Sequence, residues 1–317
     1  MNLEIKRLIK GIIMLSAPKV LTASITPMVV GLACAFIFSG SASVINLLWF
    51  FMAVVAIVFI ETGKNTVNDY FDFVSGADRF IDESHVTPFS GGRRVLTSNV
   101  LSKKEIIIIG ILAFCGAGFL GLVMVIFKTP IILWVGIAGI LISIFYTAPP
   151  LKFCYRGLGE LSVGIVYGPL IVLGTYMLIT EQFSVFPLLV SLPLGFLVAN
   201  ILVINEYPDY EADFLANKRN LVVIFGKQKA VHIYACLFGL SYASLLPIVI
   251  YTRNFIFLIG FLTIPLAIKA VTNCKKNYDN IPLLLASNQM TIMIYMLTGV
   301  LMIACMLITS LLFPLFF

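Results

Sequence analysis

At 317 residues, 60% hydrophobic and 11% charged, with a mean hydropathy of +1.05, the chain excludes a soluble globular domain, which would need far more polar surface. Its 21 basic and 15 acidic residues leave a net charge of +6. In so apolar a chain that excess sets orientation across a bilayer, and it gives no reason to invoke nucleic acid.

The N-terminal stretch MNLEIKRLIKGIIMLSAPK is basic and amphipathic and lacks a small-residue cleavage site, which predicts a retained interfacial helix. Apolar stretches long enough to span follow near 20–39, 45–66, 105–127, 130–147, 158–180, 185–206, 230–250, 255–273 and 290–314. With the N-terminus cytoplasmic, nineteen of the twenty-one Lys and Arg fall on one side, Lys64 among them, and only Lys128 and Arg253 on the other. The expected fold is therefore an all-α membrane protein with nine transmembrane helices, its active loops on the cytoplasmic side of the plasma membrane. The six cysteines (34, 115, 154, 236, 274 and 305) are dispersed without metal-like spacing and read as small buried apolar residues.

Ten of the fifteen carboxylates lie in two short islands, between Glu61 and Glu83 and between Glu206 and Asp213. Carboxylates near a bilayer cost free energy unless a cation or another charge partner compensates them. Each island sits at the cytoplasmic end of an even-numbered helix and repeats one register: Asn68 to Asp72, then Asn205 to Asp209 and on to Asp213. A spacing of four keeps side chains on one helix face, so Glu61, Asn65, Asn68, Asp69 and Asp72 fall within an arc of roughly 100°. The repeat suggests one transmembrane domain, residues 1–317, of two related four-helix halves (about 12–147 and 157–273) with a ninth helix (about 290–314). Such halves would bring the two stripes face to face across a central cavity.

Facing carboxylate sets suit hard divalent cations, and magnesium typically binds through one or two carboxylates plus substrate phosphates and water. Cations for the phosphate itself lie in loops on the same side. These are Arg93 and Arg94 in TPFSGGRRV, Lys152 and Arg156 in YTAPPLKFCYRG, and Lys218 and Arg219 in NKRNL. Lys103, Lys104, Lys227, Lys229, Lys275 and Lys276 read instead as charges that only fix orientation. Pro208 either shapes the second stripe or ends its helix. His85 lies in the acidic loop, and His232 reads as a helix-end contact.

These motifs resemble the UbiA superfamily of intramembrane aromatic prenyltransferases over nearly the whole chain. NDYFDFVSGAD and NEYPDYEAD match its two aspartate-rich motifs. YTAPPLK, GLGELSVGIVYGPLIVLGTY and APKVLTASITP are similar to members of the menaquinone branch. The resemblance implies two Mg2+ ions gripping a polyprenyl diphosphate. Their ligands would be Asn68, Asp72 and Asp78 (or Asp69) on one side and Asp209 and Asp213 on the other. It further implies diphosphate contacts from Arg93, Arg94, Lys152, Tyr146, Lys218, Arg219, Asn68 and Asn205, with Asp72, Asp209 and Lys152 central to catalysis. The tail would lie in an apolar tunnel, and the implied acceptor is 1,4-dihydroxy-2-naphthoate. Another phenol, a glycerol-type alcohol or cyclisation of the prenyl cation are the alternatives.

The chain departs from the pattern at Gly76, where a third aspartate is usual, at Ala17 in place of an opening Arg, and at Asn217 and Asn220 around Lys218 and Arg219. A secondary transporter is the rival from another class, but transporter sites lie nearer the midplane. The Asp-Gly and Ala-Arg pattern of CDP-alcohol phosphotransferases is absent.

Overall fold

The computed structural model describes residues 3–18, 20–81, 86–90, 92 and 94–312. Among them the chain is helical, with a single isolated backbone bridge between Arg156 and Arg219 in place of any sheet. The amphipathic α1 (Leu3–Ser16) leads in, as its sequence requires, and is tied down by Arg7, which pairs with Glu105. Seven helices among the described residues are long and apolar enough to cross a membrane. They are α3 (Val44–Ser75), α5 (Lys103–Phe127), α7 (Gly159–Thr180), α8 (Val185–Glu206), α11 (Lys227–Thr252), α12 (Phe255–Asn277) and α13 (Ile281–Leu312). Two shorter apolar helices, α2 (Thr22–Phe38) and α6 (Ile132–Phe145), complete the bundle. Each of these helices overlaps one of the apolar stretches read from the sequence, and seven of them have the length of a full span. Short helices α4 (Ala77–Phe80), α9 (Tyr210–Leu215) and α10 (Leu221–Phe225) fill the loops that carry the acidic motifs.

Local chemistry sets the ends. Ser43, Ser184 and Asn254 cap α3, α8 and α12 by accepting a backbone N–H. Ser102 and Glu105 form a reciprocal capping box on α5. The hydropathy pattern places the end of the second span near residue 66, yet α3 runs on to Ser75. Its polar last turns contain neither glycine nor proline, so nothing breaks the helix until Gly76, which turns the chain at φ +90°. The first acidic motif is therefore part of one rigid helix. In the second half α8 stops at Glu206, just before Pro208, so the proline does end the helix.

Helix α8 is the most enclosed of the long helices: 67% of its most apolar stretch is buried, against 17% for α3 and 22% for α5. It packs against α7 through glycines, since a Cβ on Gly168 would lie 2.7 Å from Gly195 Cα and one on Gly195 2.7 Å from Gly164 O. Small residues let backbones approach where lipid supplies no hydrophobic drive between helices. The cysteines are all free, and four of them (34, 154, 274 and 305) are buried.

Candidate active site

The two acidic islands meet at one end of the bundle. On α3, Asn68 and Asp72 are one turn apart, and Asn68 Nδ2 donates to Asp72 Oδ2 at 3.2 Å. Past the turn at Gly76, α4 carries Asp78, which is buried. From the other half comes α9, with Asp209 at its N-cap position and Asp213 one turn on, and α9 packs against α4. The chain then doubles back through Asn217 (φ +54°), and Lys218 N–H bonds to Asp213 O at 2.8 Å. That reversal aims the Lys218 ammonium between the motifs, 3.1 Å from Asp72 Oδ2 and 3.6 Å from Asp213 Oδ1.

The loop between α6 and α7 closes a third side. Tyr155 donates its hydroxyl to Asp72 Oδ1 at 2.9 Å and lies 2.7 Å from Ser75 Oγ. Lys152, in the left-handed region at φ +47°, holds its ammonium 5.3 Å from the Tyr155 ring centre. Asn220 caps α10 through its side-chain oxygen and donates its amide to Asp213 Oδ2 at 2.8 Å.

Burial pushes Asp78 up to about 8, with the Asp72 and Asp69 charges adding to it. Burial also pushes Asp213 up to about 7, against the pull of Lys218. Burial opposes the charge on Lys218, but Asp213 and Asp72 outweigh it and hold the ammonium protonated.

The predicted stripe on α3 divides among several partners. Asn65 Nδ2 donates to Leu15 O at 2.7 Å and so fastens α1. Asp69 accepts the N–H groups of Val95 (3.1 Å) and Leu96 (3.0 Å), pinning the Gly-Arg loop. In that loop Arg94 is half-buried at φ +55°, while Arg93 and His85 lie outside the described residues. Asn205 accepts from Asn288 Nδ2 on α13 at 2.7 Å, so the repeated asparagines have different partners. Arg219 is exposed, Arg156 donates to Pro150 O at 2.9 Å, and His232 is exposed on α11.

Tyr146 lines a cavity of about 330 Å³ that runs among α3, α5, α6 and α7 past Gly121, Gly136 and Ile171. Its wall is apolar apart from a few side chains, Lys64 and Glu61 among them. Sequence reasoning missed Tyr155, Asn220 and the Glu61–Lys64 pair. For the pair a signal existed, since opposite charges three residues apart inside an apolar helix are a functional flag.

The residues present fit a hard divalent cation. The donors are oxygens, Asp78 Oδ2 is buried without a hydrogen-bond partner, and the Lys218 ammonium shows that the space between Asp72 and Asp213 accepts a positive charge. Among the described residues no three acidic, histidine or cysteine side chains form a metal cage by themselves. That suits magnesium, which commonly completes its shell with substrate phosphate.

A chain with seven helices long and apolar enough to cross a membrane among its described residues, and with two acidic motifs that meet at Lys218, is a multi-pass membrane protein. Residues 25–281 match the UbiA prenyltransferase family, and the chain belongs to it; it is a prenyltransferase. A 1,4-dihydroxy-2-naphthoate octaprenyltransferase of Bacillus subtilis is 26% identical over 265 residues, 83% of this chain and 81% of that protein. The protein of that name from Haemophilus influenzae is 30% identical over 69% of this chain and 72% of its own length. Among solved structures, a UbiA homolog from Archaeoglobus fulgidus bound to GPP and Mg2+ superposes with a TM-score of 0.63 at 15% identity. It covers 93% of this chain and 99% of its own. An apo UbiA homolog from Aeropyrum pernix gives 0.58 at 14% identity, over 96% and 99%.

Proposed function

We propose that this enzyme transfers a polyprenyl group from an allylic diphosphate to 1,4-dihydroxy-2-naphthoate, releasing pyrophosphate with the help of magnesium, as a step of menaquinone biosynthesis. The observation that carries the reading is Lys218, one cation held by Asp72 of the first motif and Asp213 of the second. The names of the bacterial relatives support the acceptor, and the ligands of the archaeal structures support the diphosphate and the metal.

Asn68, Asp72 and Asp78 would hold one of two magnesium ions, and Asp209 and Asp213 the other. Asp69 is the poorer candidate for the first set, because both its oxygens already accept backbone N–H groups. Held there, magnesium would supply positive charge that offsets the charge growing on the leaving group. Lys218, Lys152 and the arginines at 93 and 94 supply further positive charge there, where it acts most strongly on the transition state. Tyr155 fixes the Asp72 carboxylate and the ring face under both lysines. The cavity takes the prenyl tail, its apolar wall excluding water from the allylic cation.

The test is a product assay by mass spectrometry with purified protein, geranylgeranyl or longer diphosphates, and a panel of aromatic and alcohol acceptors. Prenylated naphthoate and pyrophosphate are expected. Chelation by EDTA should lower the rate at least about 10²-fold and magnesium should restore it. Chelator-resistant turnover would remove the metal from the reading, and solute flux without pyrophosphate release would favour transport. Prenylation of another phenol or a glycerol-type alcohol would move the acceptor only.

The two halves, each contributing an acidic motif, form one domain with nine spans, and the N-terminus and the acidic loops face the cytoplasm of the plasma membrane. In a cysteine-free background, Ala42→Cys and Lys104→Cys should label from opposite sides of the cell membrane. Labelling from the same side would overturn the nine-span arrangement.

A further inference from the structure

The apolar cavity carries one charged cluster that the diphosphate chemistry above does not use. Glu61, Lys64 and Tyr167 line its wall together. Lys64 Nζ donates to Glu61 Oε2 and, at 2.6 Å, to the Tyr167 hydroxyl oxygen. The Tyr167 hydroxyl donates in turn to Glu61 Oε1, and Ser24 Oγ donates to the same atom at 2.8 Å from α2. An ion pair taken out of water and set in a membrane interior costs desolvation free energy that an apolar wall would avoid. The carboxylate is already ringed by three donors. An ammonium has three N–H groups, and Glu61 and Tyr167 use two of them. The Lys64 side chain keeps 22% of its surface open. It lies one helical turn before Asn68 and two before Asp72 on the same rigid helix, about 6 and 12 Å along the axis.

Resting on the function proposed above, we infer that Lys64 binds the acceptor, taking an oxygen of its acidic substituent, a carboxylate or a phenolic hydroxyl, while Glu61, Tyr167 and Ser24 act as positioning residues that aim the ammonium. The clamp sits on the same helix as the first acidic motif, so it would anchor the ring beside the allylic carbon of a diphosphate held there. It selects aromatic acceptors that carry an acidic oxygen over equally apolar ones that do not.

The test is direct binding, with purified protein and the fluorescence of naphthalene probes. The pair 1-hydroxy-2-naphthoate and its methyl ester reports a carboxylate contact, and the pair 2-naphthol and 2-methoxynaphthalene reports a phenolic one. Wild type should prefer the acidic member of at least one pair by about 10- to 100-fold, the worth of a hydrogen bond to a charged group. Lys64→Met alone leaves Glu61 uncompensated and invites misfolding, so the Glu61→Gln/Lys64→Met double variant removes both charges together. That variant should lose the preference while still eluting as folded protein from a sizing column, and Lys64→Arg should retain the preference. A double variant that keeps the wild-type preference overturns the clamp even if the enzyme prenylates naphthoate normally. A wild type that shows the Lys64-dependent preference yet prenylates no aromatic acceptor overturns the proposed function and leaves the anion site standing.

Discussion

Asp72→Ala should lower kcat by at least about 10²–10³-fold, the loss seen when a preorganised electrostatic contact to a reacting group is removed. Asp72 is the point where three separate segments converge. Asn68 reaches it from its own helix, Tyr155 from the loop between α6 and α7, and Lys218 from beyond the second motif. It is also nearly inaccessible to solvent, at 3% exposure. Asp72→Asn is the sharper variant, since it keeps the shape and can still accept from Tyr155 while losing the charge. Both should remain in the membrane and elute as folded protein from a sizing column, because the apolar core lies elsewhere. Asp209→Ala should behave alike in turnover. Wild-type rates in any of the three, measured as pyrophosphate release, would sink the assignment of this end of the bundle as the reaction centre.

What was legible in the sequence was set by one-dimensional signals. Hydropathy located the helices because burial in lipid demands about twenty apolar residues whatever the tertiary arrangement. The acidic islands stood out because charge is expensive there. Helical register grouped Asn68 with Asp72 correctly, and they are hydrogen-bonded. Register also placed Asp69 and Asn65 on that stripe, and both are buried there, but register does not reveal their partners. Asp69 is spent on the backbone of residues 95 and 96, and Asn65 on the backbone of residue 15. Those contacts depend on loop positions that no local pattern encodes.

The basic residues show the same limit. Charge counting puts Lys64, Lys218 and Arg219 on one side of the membrane without distinguishing them. The structure sets Lys64 half-buried in the cavity wall, places Lys218 between two carboxylates and leaves Arg219 exposed. The separation of Lys218 from its neighbour follows from a backbone reversal at Asn217 with positive φ. Asparagine tolerates that conformation better than most residues, a hint that is readable only once the turn is known. Tyr155 was invisible for a related reason: an aromatic in a basic loop looks like a membrane-interface anchor until Asp72 is found beside its hydroxyl.

Lys218→Met should produce the second large effect, a fall in kcat of about 10²-fold or more with a smaller change in KM for the diphosphate. The asymmetry follows from when the charge matters. A lysine beside the leaving group gains most as negative charge builds on pyrophosphate, so its loss weighs on the transition state more than on the ground state. Methionine keeps the length and apolar stem of lysine, so packing against Tyr155 survives while the cation is gone. Stability should fall as well, since breaking one side of a buried charge pair costs about 3–5 kcal/mol at most sites. Here the cost should shrink when magnesium is added, because a bound cation would compensate Asp72 and Asp213 in place of the ammonium. Melting temperatures measured with and without magnesium separate the two effects: kcat should stay low in both conditions while the melting temperature recovers with metal. Arg219→Met is the internal control. Its side chain is exposed one residue away and does not sit between the two carboxylates, so the variant should lose less turnover than Lys218→Met. Equal losses at 218 and 219 would mean that the loop as a whole, not the cation between the two motifs, is what catalysis needs.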